Sequence, residues 1–111
     1  MKEIKAYIRK EKAENVIQKL EEAGVNGMTI LDANALANWA DSDSFSYSIE
    51  YVQKYSTVVK IELICKKEKL NTYLEIIKQE GYTGKSGDGW IFVSNIEMAI
   101  RIKTRKKGLD K

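Results

Sequence analysis

The chain has 111 residues, 43% of them hydrophobic and 32% charged, which suits one globular domain spanning residues 1–111 with no second core. It holds a single cysteine, Cys65, and no histidine, so an intrachain disulfide, a Cys/His zinc site and His-based nucleophilic catalysis are excluded. The net charge of +3 is too small to signal a nucleic-acid binder, yet Arg101, Lys103, Arg105, Lys106, Lys107 and Lys111 crowd one end, while Asp32 to Glu50 contains no basic residue.

Met1-Lys2-Glu3-Ile4-Lys5 is charged where a signal peptide needs an apolar run, and no apolar stretch reaches the length of a membrane span. A cytoplasmic protein without direct membrane insertion is expected. Over residues 2–9, Ile4, Ala6 and Ile8 alternate with Lys5, Tyr7 and Arg9, the period of a strand with one buried face. The period then changes. Ala13, Val16, Ile17 and Leu20 fall at i, i+3, i+4, i+7, predicting a helix over about 11–23 that stops at Gly24. Met28 to Ala33 reads as a second strand.

The segment from about 35 to 57 does not read as a hairpin: periodicity is weak, serines are many, and connections this long are functional or disordered. Trp39, Phe45, Tyr47 and Tyr51 put four aromatics into this serine-rich, acidic stretch. That is the composition of a contact segment that orders on a partner; folding back onto the protein's own surface is the alternative.

Val59, Ile61, Leu63 and Cys65 alternate with polar residues as a third strand, and Leu70, Tyr73, Leu74 and Ile77 form a second helical stripe ending before Gly81. The stripe and its glycine repeat the spacing of the first, so a strand–helix unit is duplicated. Trp90 to Val93 predicts a fourth strand. Met98, Ile100 and Ile102, alternating with Arg101 and Lys103, predict an additional C-terminal one before a basic tail over 104–111. The expected class is α+β: a ferredoxin-like βαββαβ sandwich with an extra C-terminal strand.

Two features carry possible chemistry. In the glycine loop over 82–90, Thr83-Gly84-Lys85-Ser86-Gly87-Asp88-Gly89 feeds into a strand, and glycines let successive backbone N–H groups converge on an anion. The loop matches neither the Walker nor the dinucleotide pattern, and a plain tight turn explains it as well. Arg101 and Lys103, two apart on the last predicted strand, share a side and suit phosphate oxygens; a solvated strand face is the alternative reading.

At this point the sequence resembles the PII signal-transduction family. Thr83-Gly84-Lys85-Ser86-Gly87-Asp88-Gly89-Trp90-Ile91-Phe92-Val93 is similar to that family's Thr-Gly-Lys-Ile-Gly-Asp-Gly-Lys-Ile-Phe-Val, and Ala99-Ile100-Arg101-Ile102-Lys103-Thr104 to the Val-Ile-Arg-Ile-Arg-Thr that follows it. Gly24-Val25-Asn26-Gly27-Met28-Thr29 and Val59-Lys60-Ile61-Glu62 resemble its second-strand entry and third strand. The resemblance implies a homotrimer with nucleotide sites between subunits. ATP or ADP, or AMP, would be the ligand, with magnesium as an accompaniment and no protein-held metal site. Gly87, Asp88 and Gly89 would wrap the phosphates, Arg101 and Lys103 would neutralise them, and Thr29 and Ile64 would lie beside the adenosine, with Thr83 a further candidate. The long segment would be the family's T-loop, docking on a membrane transporter or metabolic enzyme in nitrogen regulation.

The departures also carry implications. Trp90 stands where the family has a phosphate-reaching lysine, so charge at the site falls; its indole could stack or pack. Lys103 stands where arginine is usual and loses the bidentate fork. Trp39 and Val58 occupy the places of the glutamine and lysine used for 2-oxoglutarate, and Ala35 and Ala37 those of loop-base glycines, so 2-oxoglutarate is not expected to be sensed in the usual way. Tyr51 aligns with a tyrosine that some members carry uridylylated, but Tyr47-Ser48-Ile49-Glu50 lacks the flanking Arg-Gly-Ala.

A regulatory binding protein is therefore expected rather than an enzyme, since no paired general acid and base stands out, although slow ATP hydrolysis is compatible with it. Two other classes share the fold. A small phosphotransfer enzyme would use Arg101 beside backbone amides. An RNA-binding module would need exposed aromatics on the central strands, of which Gly89-Trp90-Ile91-Phe92-Val93 offers a faint version.

Overall fold

A computed structural model describes residues 1–36 and 55–108. Strand β1 (Lys2–Arg9) leads into helix α1 (Lys10–Glu22), followed by β2 (Thr29–Leu36), β3 (Tyr55–Cys65), α2 (Lys67–Gly81) and β4 (Trp90–Asn95). The four strands form one antiparallel sheet in the order β2-β3-β1-β4. This is the expected ferredoxin-like βαββαβ arrangement.

The alternation in β1 does what it predicted: Ile4, Ala6 and Ile8 are buried and face Leu63, Ile61 and Val59 across the ladder. Both helices pack on that face through Val16, Leu20, Tyr73 and Ile77. The other face of the sheet carries Lys5, Tyr7, Lys60, Glu62, Trp90 and Phe92, and no helix among the described residues covers it.

The helix ends differ although their sequences repeat. After α1 the chain turns back at Gly24, with φ +107°; its N–H donates to the Glu21 carbonyl at 3.0 Å and the Val25 N–H to the Leu20 carbonyl at 3.0 Å. This is the hydrogen-bond pattern that a left-handed glycine makes available. Gly81 is instead the last residue of α2, where an added Cβ would meet Ile8 Cγ2 at an ordinary 3.6 Å. The expectation that the second helix ends before its glycine is corrected to that extent.

Strands β2 and β3 pair up to Leu36 and Tyr55, so both run longer than expected and the connection starts later and ends earlier than 35–57. Trp39, Phe45, Tyr47 and Tyr51 lie outside the described residues.

The C-terminal strand needs a larger correction. Met98, Ile100 and Ile102 were expected to bury one face, but Met98 and Ile100 are more than half exposed and Ile102 is 91% exposed. Only Ile100–Arg101 is strand, β5, and it pairs with β6 (Lys106–Lys107) as a separate two-stranded sheet. Residues 102–105 make the turn, closed by the Arg105 N–H donating to the Arg101 carbonyl at 2.6 Å, with Arg105 at φ +59°. The physical reason is that α1 and α2 already cover the helix side of the main sheet, so among the described residues nothing covers these apolar side chains. No helix of the described residues is long and apolar enough to cross a membrane.

Candidate nucleotide site

The glycine loop fills residues 82–89 between α2 and β4 and is organised around its own aspartate. The Thr83 N–H donates to Asp88 Oδ2 at 2.8 Å and the Gly84 N–H to the same oxygen at 3.1 Å, while the Thr83 hydroxyl donates to Asp88 Oδ1 at 2.5 Å. Arg9, at the end of β1, adds a fourth donor: its Nε lies 2.8 Å from Asp88 Oδ1, and its Nη2 donates to the Ser86 carbonyl. Partial burial is the largest single influence on the Asp88 carboxyl and pushes it up, but these four hydrogen bonds together outweigh it and hold it down to about 2. The carboxylate is therefore permanently ionised and fully engaged at neutral pH.

Glycine is required at three points of the turn. Gly84, Gly87 and Gly89 have φ of +81°, +94° and +99°, a region L side chains rarely adopt. At Gly89 space matters as much as angle, because a Cβ there would stand 1.8 Å from the Tyr7 carbonyl oxygen. The loop thus lies directly on the backbone of β1.

Trp90 opens β4 on the uncovered face, opposite Tyr7. Its indole is 54% exposed and stacks on Phe92, centroids 6.1 Å apart at 12°, and Phe92 meets Tyr7 edge-on at 6.0 Å. Lys60 Nζ sits 5.7 Å from the centre of the Tyr7 ring and pairs with Glu62 at 2.9 Å. A cavity of about 210 Å³ runs from this corner under the loop, lined by Tyr7, Ile8, Gly81, Asp88 and Trp90.

The remaining sequence candidates are elsewhere. Thr29 and Ile64 line a second cavity of about 400 Å³ with Gly27, Met28 and Glu62. It lies at the start of β2, along β3 and against Glu3 of β1, while the glycine loop enters β4; strands β2 and β4 are opposite edges of the sheet, about 14 Å apart at three strand spacings. Arg101 lies in β5 and Lys103 in the turn after it, so the two do not share one side of a strand as expected. One chain brings together Thr83, Gly87, Asp88, Gly89 and Trp90, and leaves Thr29 with Ile64, and Arg101 with Lys103, as separate groups.

Arg9 is the contact of the glycine loop that sequence reasoning missed. Its outward position in β1 was legible, but nothing local links it to a partner 79 residues away.

The sequence profile described as Nitrogen regulatory protein P-II matches residues 1–106. Curated relatives called Nitrogen regulatory protein P-II include those of Rhizobium meliloti (strain 1021), 36% identical, and Rhodospirillum rubrum, 37% identical; each alignment spans 110 residues, 99% of this chain and 98% of the relative. Among solved structures, that of Arabidopsis thaliana PII bound to citrate superposes with a TM-score of 0.77 at 25% identity, covering 96% of this chain and 87% of the other.

Proposed function

The chain belongs to the nitrogen regulatory protein P-II family, and on that premise we propose that it is a signalling protein whose homotrimer binds ATP or ADP, with AMP a further candidate, between subunits. Occupancy is passed to a partner transporter or metabolic enzyme through the segment between β2 and β3. The observation that carries the reading is the split of the site: an amide-rich glycine loop on the β4 edge and the Thr29–Ile64 cavity on the β2 edge. One chain cannot close both halves on a single small ligand, whereas the edge of a second copy brought against the first can.

Within that reading Gly87, Asp88 and Gly89 supply the main chain that meets phosphate, Thr83 braces the loop, and Thr29 and Ile64 border the adenosine. Arg101 and Lys103 approach from the hairpin of an adjoining copy to balance phosphate charge. Trp90 adds no charge, so a triphosphate gains less here than it would beside a lysine. The exposed Met98, Ile100 and Ile102 are covered on assembly. Signalling requires that nucleotides bind the partner-competent and partner-incompetent forms with different affinity. An RNA-binding reading fits less well, because the central strand β3 presents Lys60, Glu62 and Ile64 on the open face, Tyr7 is the one aromatic that the central strand β1 adds there, and Trp90 and Phe92 lie on the edge strand β4.

Calorimetric titration with ATP, ADP and AMP, each with and without magnesium and 2-oxoglutarate, tests this. Micromolar binding that 2-oxoglutarate leaves unchanged is expected, since Val58 offers no charge to a carboxylate. Strengthening by 2-oxoglutarate would overturn the loss of metabolite sensing, and no binding of any nucleotide would overturn the nucleotide reading itself.

A further inference from the structure

We propose that Arg9 is the positioning residue of the glycine loop, holding residues 83–88 in the form that accepts a phosphate group while neutralising the loop's own carboxylate. The inference rests on the nucleotide reading above.

Arg9 makes three contacts from one guanidinium. Nε lies 2.8 Å from Asp88 Oδ1, Nη2 donates to the Ser86 carbonyl, and Nη1 is 3.7 Å from the Glu11 carboxylate. The planar fork of an arginine reaches a side chain and the main chain at once, which a lysine point charge does not. The contacts with Ser86 and Asp88 each have a consequence for an anion.

The first consequence is geometric. A trans peptide points its carbonyl and the following N–H in opposite directions. Turning the Ser86 carbonyl toward Arg9 therefore turns the Gly87 N–H to the other side of the loop. Without that anchor the Ser86–Gly87 peptide loses one of its restraints, Gly87 tolerates either hand, and a carbonyl oxygen turned to face the phosphate would repel it.

The second is electrostatic. Asp88 sits between the two glycines expected to meet phosphate, and it is ionised at any physiological pH. Its hydrogen bonds from Thr83 and Gly84 fix its position but bring no net charge, so Arg9 is the cation that offsets it. Removing Arg9 leaves a carboxylate beside the site, and like charges repel most where water is partly excluded.

The test uses Arg9→Gln, Arg9→Lys and the double variant Arg9→Gln/Asp88→Asn, with calorimetry against ADP and hydrogen exchange of the 84–88 amides; a single cooperative thermal transition well above the assay temperature serves as the folding check. Arg9→Gln should weaken ADP binding roughly 10- to 100-fold and speed exchange in the loop. Arg9→Lys should recover part of the affinity through charge alone, with exchange still fast. The double variant should regain affinity relative to Arg9→Gln, because an amide accepts the Thr83 and Gly84 hydrogen bonds without repelling phosphate. Unchanged ADP affinity in Arg9→Gln would overturn the proposal, as would a loss that Asp88→Asn does not recover while the 84–88 amides exchange as slowly as in the unsubstituted protein, which would make Arg9 a direct ligand contact. If the unsubstituted protein bound no nucleotide, the function proposed above would fall; loop exchange would then decide alone, faster exchange in Arg9→Gln keeping the clamp and unchanged exchange overturning it.

Discussion

Gly89 and Gly108 share a backbone conformation, φ +99° and +113°, yet they differ in surroundings: a Cβ at Gly89 would stand 1.8 Å from the Tyr7 oxygen, whereas at Gly108 nothing lies within 4 Å. Gly108→Ala carries only the left-handed strain, about 1 kcal/mol, while Gly89→Ala adds a collision with main chain that cannot yield without parting β4 from β1. Gly89→Ala should lower stability by about 3 kcal/mol or more, read as a larger fall in denaturation midpoint than for Gly108→Ala. Equal effects would mean that the loop is not pressed onto β1. Asp88 makes a separate prediction with acid. Its folded carboxyl titrates at about 2 against an ordinary 3.8, so the unfolded chain takes up the proton more readily. The stabilisation is complete above about pH 4 and disappears as pH falls toward about 2, amounting to about 2 kcal/mol at most for a shift of this size. Urea unfolding across that range should show the slope, and Asp88→Asn should flatten it by that amount.

The two helices and the first strands were legible because burial imposes a period, and the residues that fix the period are the ones found inside. Leu20, fully buried beneath α1, tests this: Leu20→Ala should destabilise the protein by about 2–4 kcal/mol through lost burial and a residual cavity. Ile102→Ala should leave the unfolding free energy of a single chain nearly unchanged, the side chain being almost wholly exposed. The same alternation that identified β1 failed at Met98, Ile100 and Ile102, and the contrast is instructive. Period two reports that one side of a segment is apolar; it carries no information about what covers that side. For β1 the cover is α1 and α2, while for the C-terminal segment no cover exists within the described chain and the backbone closes on itself as β5 and β6. The glycines of the duplicated unit make a related point, since equal spacing gave Gly24 a left-handed turn and Gly81 an ordinary helical place against Ile8. The loop of 82–89 was legible from its glycines as a turn and a candidate phosphate cradle, but its bracing by Arg9 was not, because that contact depends on the sheet order that sets β1 beside β4.

At the scale of the whole molecule, the sheet order β2-β3-β1-β4 separates residues that a single ligand is proposed to touch, and it fixes how such a site can be completed. If copies meet edge to edge in a closed ring, each site takes its glycine loop from one subunit and its Thr29–Ile64 cavity from the next. Two variants with opposite lesions should then rescue one another. Ile64→Glu puts a carboxylate into the cavity half, and Gly87→Glu puts one into the loop half, so each variant alone should bind ADP poorly. Co-expression and random assembly would produce some interfaces pairing the intact loop of the first variant with the intact cavity of the second. With equal amounts of each chain, about one quarter of the sites should regain normal affinity, measurable as binding stoichiometry by calorimetry. A homotypic two-fold contact, in which each patch meets its own copy, would also bring together halves from different chains, but only where the patch includes both edges, and it would yield dimers rather than trimers by sedimentation. No recovery in the mixed assemblies would mean that a single chain supplies all the contacts, and the division of the site between subunits would have to be abandoned.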